Sequence, residues 1–458
     1  MPSTVQLQKP STRYDAGITN LADGSVRAGQ GRSLVVPNEV LDQAGIQPGD
    51  GVICETLPGG GLRLASDSLR KVYVEATSCC NLACVTCIRN AWDEPVGHMP
   101  LARYRQMLAG LPSSQATTFE SKSTGLWGNQ STGQAPPQTH PTSPITLAFG
   151  GFGEPLVHPD FLEMVRLARE RGLRVEVTTN GTLLDAALGR DLVDAGVAKV
   201  TISMDGPDAS TYENVRGGAL EAVVANVAAL QGTRRRARPP LKIGLAFVAM
   251  RRNIASLPHL MQLAAQLGMD FVSVSNVIPH TPEMASEALW NRAAWATSFA
   301  PESWRPRLTL AALDLDETTR PVLQAVWGAG LAMPSPALDS DTRRNYCRFA
   351  HEGVTCVAWD GRVAPCLSLL HTHQEYVNEQ WHRVESYVAG HVDDRPLAEI
   401  WRDTAYRDLR ARLRAFDFSH CFACGGCPLT ESNEEDCYGN PFPACGECLW
   451  AQGIVLCP

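Results

Sequence analysis

The stretch CNLACVTC at residues 80–87 sets three cysteines, Cys80, Cys84 and Cys87, in a C-x3-C-x2-C pattern. An iron–sulfur cluster is normally held by four cysteine thiolates. Three thiolates close together can hold three irons of a cubane, which leaves the fourth iron open to another ligand. A zinc knuckle or a chance cluster of thiols fits the triplet as well. This motif alone therefore favours an iron–sulfur cluster over these two alternatives.

The triplet resembles the cysteine motif of the radical S-adenosylmethionine (SAM) enzymes, in which the amino and carboxylate groups of SAM chelate the open iron. Ile88 follows the last cysteine, where that family usually has an aromatic or bulky apolar residue. The resemblance implies that the three cysteines are catalytic and bind a 4Fe-4S cluster that reductively cleaves SAM to a 5′-deoxyadenosyl radical. It also implies that a small reducing protein, such as ferredoxin or flavodoxin, is a partner.

Composition and charge limit the other classes of function. The chain has 458 residues, a net charge of −8 and 15 cysteines. The negative charge argues against broad binding to nucleic acid or to anionic membranes. The sequence has no apolar run long enough to span a bilayer, and its N-terminus does not read as a secretory signal, so we expect a cytoplasmic protein. Five cysteines before residue 90 and ten after residue 346 then predict two metal-binding regions.

The N-terminal part precedes the cysteine motif. Residues 1–20 are polar and predict a flexible terminus. Residues 21–70 predict a small β module, and the segments LVVP at 34–37 and GIQPGD at 45–50 resemble the swapped-hairpin barrel of AbrB-type regulators. Residues 27–70 hold four arginines against five acidic residues, and DNA affinity depends largely on neutralised phosphates. This balance favours a docking or dimerisation module over a DNA reader.

The central part, residues 71–279, alternates strand and helix patterns. We predict strands at 71–77, 145–149, 174–179, 198–204, 241–249 and 271–277, with helices between them. Six such units predict an α/β fold with a mostly parallel sheet, and they match the partial (β/α)6 TIM-type barrel of the radical SAM family. Residues 112–144 are low-complexity and predict a mobile insertion. Residues 280–346 predict a bridging helical segment.

Polar residues follow the predicted strands, and such strand ends converge on one face of a barrel. The resemblance implies that a glycine turn with Glu154 binds the SAM amino group, with further residues around the ribose, carboxylate and adenine. Ordinary capping or turn formation explains each single residue equally well. The predicted SAM-binding residues are Gly151, Gly153, Glu154, Asn180, Ser203, Asp205, Arg216 and Asn276.

The tail, residues 347–458, resembles the SPASM extension of radical SAM maturases, which binds auxiliary 4Fe-4S clusters. Cys347-x13-Gly361-x4-Cys366 carries this likeness, although the later spacing departs from the usual pattern. A zinc ribbon at Cys424-x2-Cys427-x17-Cys445-x2-Cys448 is the alternative. Two auxiliary clusters would use more of the tail cysteines than a zinc ribbon would. The candidate ligands are Cys347, Cys366, Cys421, Cys424, Cys427, Cys437, Cys445, Cys448 and Cys457.

Two further stretches, CIRNAWDE at 87–94 and CGECLWAQG at 445–453, resemble the radical SAM maturases of tungsten-cofactor oxidoreductases. This likeness implies that the substrate is a protein, such as a tungsten-containing oxidoreductase, or its pterin–tungsten cofactor. Two alternatives remain open at this point. One is a radical SAM–SPASM enzyme that modifies a ribosomally made peptide, and the other is a zinc-binding regulator that uses the N-terminal module on DNA.

Overall fold

The computed structural model describes residues 67–111, 144–234, 237, 240–290, 307–327, 345–419 and 427–456, and the backbone of five strands before residue 67. The chain divides into two compact units: residues 1–68 with 112–145, and residues 69–111 with 146–458. The finer division into five segments stays a prediction. Among the described residues, no helix combines the length and apolarity that crossing a membrane requires.

The first unit contains an antiparallel sheet with the strand order β3-β2-β1-β4-β5. Its strands are β1 (Ile18–Asn20), β2 (Ser25–Ala28), β3 (Arg32–Val35), β4 (Gly51–Thr56) and β5 (Leu62–Ser66). The AbrB-like swapped hairpin stays a prediction, because the side chains of this sheet and the turns between its strands lie outside the described residues. The predicted insertion at 112–144 lies outside them too, except for its last residue.

The second unit begins with alternating strands and helices. These are β6 (Lys71–Val74), α1 (Leu101–Ala109), β7 (Thr146–Phe149), α2 (Phe161–Glu170), β8 (Arg174–Thr179), α3 (Ala186–Asp194), β9 (Lys199–Ser203), α4 (Ala209–Arg216), α5 (Leu220–Thr233), β10 (Lys242–Ala249), α6 (Leu257–Gln266) and β11 (Phe271–Asn276). Short 3-10 turns lie at Ile88–Ala91, Pro155–Val157 and Ile254–Ser256.

The C-terminal part of this unit is built from shorter elements. They are α7 (Pro282–Ala285), β12 (Arg307–Leu310), α8 (Thr319–Trp327), α9 (Arg348–His351), β13 (Val354–Val357), β14 (Arg362–Ala364), β15 (His373–Val377), β16 (Gln380–Val384), β17 (Gly390–His391), α10 (Leu397–Arg402) and α11 (Thr404–Ala415), with a 3-10 turn at Pro428–Thr430.

Strands β6 to β12 form a parallel sheet in chain order, and among the described residues β12 stays an edge strand, so the sheet does not close on itself there. The central strands alternate buried and half-buried residues, as in β8 and β11. Helices such as α2 and α6 bury some of their apolar residues. This topology confirms the predicted α/β fold with a partial barrel, and it brings the carboxyl ends of the parallel strands to one edge.

Three features differ from the sequence prediction. The segment 280–346, predicted as helical, contributes a seventh parallel strand, β12, whose Leu308 and Leu310 are buried while Arg307 and Thr309 are exposed. Four alternating residues after Pro306 are too few to stand out from the surrounding sequence. Strand β13 of the cysteine-rich part pairs in parallel with β6, so the core sheet continues into that part. Helix α4 was not predicted, and it places Arg216 at a helix end.

Candidate functional site

The three thiols of the C-x3-C-x2-C motif lie in the loop after β6, at the carboxyl edge of the sheet. The Leu82 N–H lies 3.4 Å from Cys80 Sγ, and Arg216 Nη1 lies 4.0 Å from Cys84 Sγ. Burial raises the pKa of Cys84 to about 11, Arg216 opposes that change, and Cys87 and Cys80 add to it. The three thiols are therefore close enough to act on one another.

This donor set fits the predicted cluster. Burial also raises the pKa of Cys87, so the thiols of Cys84 and Cys87 keep their protons at neutral pH until a bound metal converts them to thiolates. An N–H directed at a cluster sulfur, like that of Leu82, tunes the cluster's potential. Within the described ranges, no three His, Cys, Asp or Glu side chains are close enough to surround a single metal ion. Three thiolates that each bind a different iron of one cluster can lie farther apart than the ligands of a single metal ion.

The glycine turn at residues 150–154 packs directly on the cysteine loop. A Cβ atom on Gly153 would lie 1.9 Å from the Thr77 carbonyl oxygen, so only glycine fits there. Gly151 has a φ of +129°, which residues with side chains rarely adopt. The Glu154 N–H donates to the Cys79 carbonyl oxygen at 2.9 Å. The structure thus brings Gly151, Gly153 and Glu154 beside the cysteine triplet.

The Glu154 carboxylate is buried against the end of β8. It accepts hydrogen bonds from Thr179 Oγ1 at 2.7 Å, from the Asn180 N–H at 2.6 Å and from the Leu156 N–H at 3.1 Å. Burial raises the pKa of Glu154, and these donors act against that rise. Because a carboxylate offers about four lone-pair positions, the three donors leave room for one more, such as an ammonium group.

Asp205 and Arg216 form a buried ion pair at the end of β9. Arg216 Nε lies 2.9 Å from Asp205 Oδ2, although its N–H is not aimed at that oxygen. The other carboxylate oxygen accepts from the Val248 N–H at 2.7 Å. Burial acts to lower the pKa of Arg216, but Asp205 and Cys84 outweigh it and the pKa rises. Arg216 therefore stays charged beside the cysteine loop.

Asn180 connects the end of β8 to the cysteine loop. Its Nδ2 donates to Asn81 Oδ1 at 2.9 Å and lies 3.9 Å from Cys80 Sγ. Its Oδ1 accepts from the Thr182 N–H at 2.9 Å. Ser203 is the last residue of β9 and is half-buried at the same edge. Both predicted residues therefore lie at strand ends on the side of the cysteine motif.

Asn276 ends strand β11 and is buried. Its Nδ2 donates to the Ala312 and Ile454 carbonyl oxygens, at 2.6 and 3.0 Å. Its Oδ1 is buried without a hydrogen-bond partner among the described residues. An unpaired buried acceptor is costly, so this oxygen fits a ligand that carries an N–H donor, such as the adenine of SAM.

Four cysteines of the tail line one cavity: Cys347, Cys366, Cys445 and Cys448. Burial raises the pKa of Cys445, and the thiols of Cys448, Cys366 and Cys347 raise it further. Burial and Cys347 raise the pKa of Cys448 to about 12. Four thiols around one cavity provide the donor set of a 4Fe-4S cluster. The zinc-ribbon alternative groups Cys445 and Cys448 with different cysteines.

The other tail cysteines are less fully described. Cys427 is half-buried and Cys437 is exposed. Cys421, Cys424 and Cys457 lie outside the described residues.

A charged cluster that sequence reasoning missed joins the barrel to the cysteine-rich part. His371 is buried, with Nδ1 2.7 Å from Glu94 Oε2 and Nε2 2.9 Å from Glu75 Oε2. Arg362 also pairs with Glu94 at 2.6 Å. Burial acts to lower the pKa of His371, but the two carboxylates outweigh it and raise the pKa to about 9. A histidine of the cysteine-rich part thus holds the carboxylate of Glu75, which follows β6.

Two family models match the chain. A radical SAM superfamily model matches residues 143–236, and the SPASM model, described as an iron-sulfur cluster-binding domain, matches residues 347–428. The chain contains a radical SAM domain and a SPASM domain. It is therefore an enzyme that uses SAM with an iron–sulfur cluster, and its C-terminal domain binds iron–sulfur as well.

The radical SAM protein is similar to known proteins over most of its length. It is 28% identical to a tungsten-containing aldehyde ferredoxin oxidoreductase cofactor-modifying protein of Pyrococcus furiosus, over 85% of this chain and 97% of that one. It is also 28% identical to an AdoMet-dependent heme synthase of Methanosarcina barkeri, over 74% and 84% of the two chains. The crystal structure of SuiB of Streptococcus suis bound to S-adenosylmethionine covers 79% of this chain and 71% of its own, with 14% identity and a TM-score of 0.48.

Proposed function

We propose that this radical SAM–SPASM enzyme is a maturase that acts on a tungsten-containing oxidoreductase or on its cofactor. The observation that carries the proposal is the 28% identity to the Pyrococcus cofactor-modifying protein, which spans 97% of that relative. The similarity therefore runs through both the radical SAM and the SPASM domain.

In this proposal, Cys80, Cys84 and Cys87 hold the SAM-binding cluster. The short distances between the Cys80 loop, Asn180 and Arg216 support this assignment. When bound, the cluster and SAM supply a 5′-deoxyadenosyl radical, which takes a hydrogen atom from the substrate. The protein's own contribution is to hold SAM in one position and to keep water from it.

The buried charges at the strand ends match the parts of SAM. Glu154 has room for one further donor and takes the ammonium group, and Arg216 takes the carboxylate. Ser203 and Asp205 lie beside the ribose and carboxylate, and Asn180 lines the pocket. Asn276 offers its unpaired Oδ1 to the adenine. Gly151 and Gly153 give the ligand close access to the backbone.

The tail is proposed to hold two auxiliary clusters. Cys347, Cys366, Cys445 and Cys448 would ligate the first, since they line one cavity. A complete set of four thiolates leaves no iron of this cluster open to substrate. The remaining candidates for the second cluster are Cys421, Cys424, Cys427, Cys437 and Cys457. A small reducing protein, such as ferredoxin or flavodoxin, would supply the electrons.

Co-expression tests the maturase proposal. A tungsten-containing aldehyde oxidoreductase is produced in a host with the wild-type chain, with Cys84→Ala, or with Cys79→Ala as the matched control. We expect active oxidoreductase with the wild type and the Cys79 variant only. Equal activity of the oxidoreductase with and without the chain would refute a maturase role while leaving the radical SAM chemistry intact.

A further inference from the structure

A buried tyrosine near the cysteine motif has an unsatisfied hydroxyl. Tyr212 lies on α4, and none of its surface is exposed. Its hydroxyl oxygen has no hydrogen-bond partner among the described residues. By contrast, the equally buried Tyr104 on α1 donates to the Met164 carbonyl oxygen at 2.9 Å. Because most buried polar side chains are hydrogen-bonded, the hydroxyl of Tyr212 requires an explanation.

The surroundings of Tyr212 place its ring at the predicted SAM pocket. A Cβ atom built on Gly218 would lie 3.3 Å from Leu82 of the cysteine loop and 3.8 Å from the Tyr212 ring. The end of α4 contacts that loop: the Val85 N–H donates to the Val215 carbonyl oxygen at 2.9 Å, and Arg216 Nη1 lies 4.0 Å from Cys84 Sγ. Tyr212 therefore lies about one helical turn from Arg216, which contacts the cysteine triplet.

Helix geometry limits which group can accept a hydrogen bond from the Tyr212 hydroxyl. Tyr212 and Arg216 are four residues apart on α4 and so lie on the same face of the helix. Burial raises the pKa of Tyr212, so its hydroxyl keeps the proton and can donate at neutral pH. Arg216 is the cation at this end of α4, and its Nε lies 2.9 Å from Asp205 Oδ2. A neutral donor on the same helix face as the Arg216 guanidinium can join it in binding a carboxylate.

We propose that the Tyr212 hydroxyl donates a hydrogen bond to the carboxylate of the methionine part of SAM, beside the Arg216 guanidinium. This inference rests on the SAM pocket proposed above. The tyrosine would act as a binding and positioning residue, because it fixes the carboxylate end of SAM relative to the cysteine loop. A hydrogen bond to Cys84 sulfur is the competing assignment, and the test separates the two.

Tyr212→Phe removes only the hydroxyl, and Tyr104→Phe is the matched control. A hydrogen bond to a charged group corresponds to roughly tenfold to a hundredfold in affinity. For the anaerobic, cluster-loaded protein, we expect the dissociation constant of SAM, from calorimetry, to rise by that factor in Tyr212→Phe. Tyr104→Phe should bind SAM as the wild type does. Without SAM, the Tyr212 variant should melt no lower than the wild type, because the lost hydroxyl is unpaired.

Decarboxylated SAM makes the test specific for the carboxylate. The wild type and Tyr212→Phe should bind this analogue equally, because it lacks the group that the hydroxyl contacts. Equal loss of affinity for both ligands, or unchanged binding of SAM, would overturn the proposal. So would a shift in the cluster's midpoint potential measured by EPR without SAM, because it would assign the hydroxyl to Cys84. A wild-type protein that binds no SAM would contradict the SAM pocket itself.

Discussion

Replacing His371 by glutamine removes the cation between the buried Glu75 carboxylate and the half-buried Glu94 carboxylate. Both imidazole nitrogens lie within hydrogen-bonding distance of a carboxylate oxygen, Nδ1 at Glu94 and Nε2 at Glu75. A carboxylate only accepts, so both nitrogens must carry protons and the ring must be charged. Glutamine keeps most of the volume but offers no charge, and it leaves Glu75 buried without a cation.

The size of the effect follows from the pKa of His371, which rises from 6.5 to about 9 in the folded protein. That rise corresponds to about 3 kcal/mol of stability. The lowered pKa of Glu94 reflects the same contacts, so it adds no further stability to this figure. Because the folded pKa is raised, the contribution is complete below pH 6.5 and is lost as the pH rises through 9.

Thermal melts of the anaerobic holoprotein between pH 6 and pH 10 measure this prediction. We expect His371→Gln to melt roughly 5–10 °C below the wild type at pH 6.5, with the gap closing above pH 9. His391→Gln, on β17, is the control and should follow the wild type. A gap of the same size at pH 6.5 and pH 10 would show that His371 stabilises by packing and not by charge, which would refute the reasoning.

Two further predictions concern the glycine turn and the tail. Gly153→Ala should weaken SAM binding at least tenfold and lower stability by about 1–3 kcal/mol, because its Cβ would meet the Thr77 carbonyl. Gly232→Ala, with open space around it, should weaken neither SAM binding nor stability, and wild-type affinity in the Gly153 variant would contradict the packing argument. Cys445→Ser should lose about four irons per chain by elemental analysis. Cys356→Ala should keep them, and full iron content in Cys445→Ser would refute the four-thiol site.

The parallel sheet and the position of the cysteine motif could be predicted from the sequence because both depend on local patterns. Strand β8 was predicted at its observed bounds, since its alternation is regular. The glycine turn was also recognisable in the sequence. The backbone approaches the Thr77 carbonyl so closely that residue 153 has to be glycine, and this requirement leaves a mark in the sequence. Strand β12 was missed because four residues offer too little periodicity.

Contacts between residues far apart in the chain could not be predicted from local sequence patterns. His371 and Glu75 are 296 residues apart in the chain, so no local signal could pair them. The grouping of Cys445 and Cys448 with Cys347 depends on how the tail folds back, and the spacing alone also fitted zinc. Tyr212 went unnoticed because helix α4 was not predicted, and its unpaired hydroxyl is visible only in three dimensions.

The central claim is that Cys80, Cys84 and Cys87 hold the cluster that cleaves SAM. Formation of 5′-deoxyadenosine from SAM by the dithionite-reduced protein, followed by liquid chromatography, tests it most directly. We predict product with the wild type and with the neighbouring control Cys79→Ala, and none with Cys84→Ala. Undiminished 5′-deoxyadenosine from Cys84→Ala, or none from the iron-loaded wild type, would contradict the account.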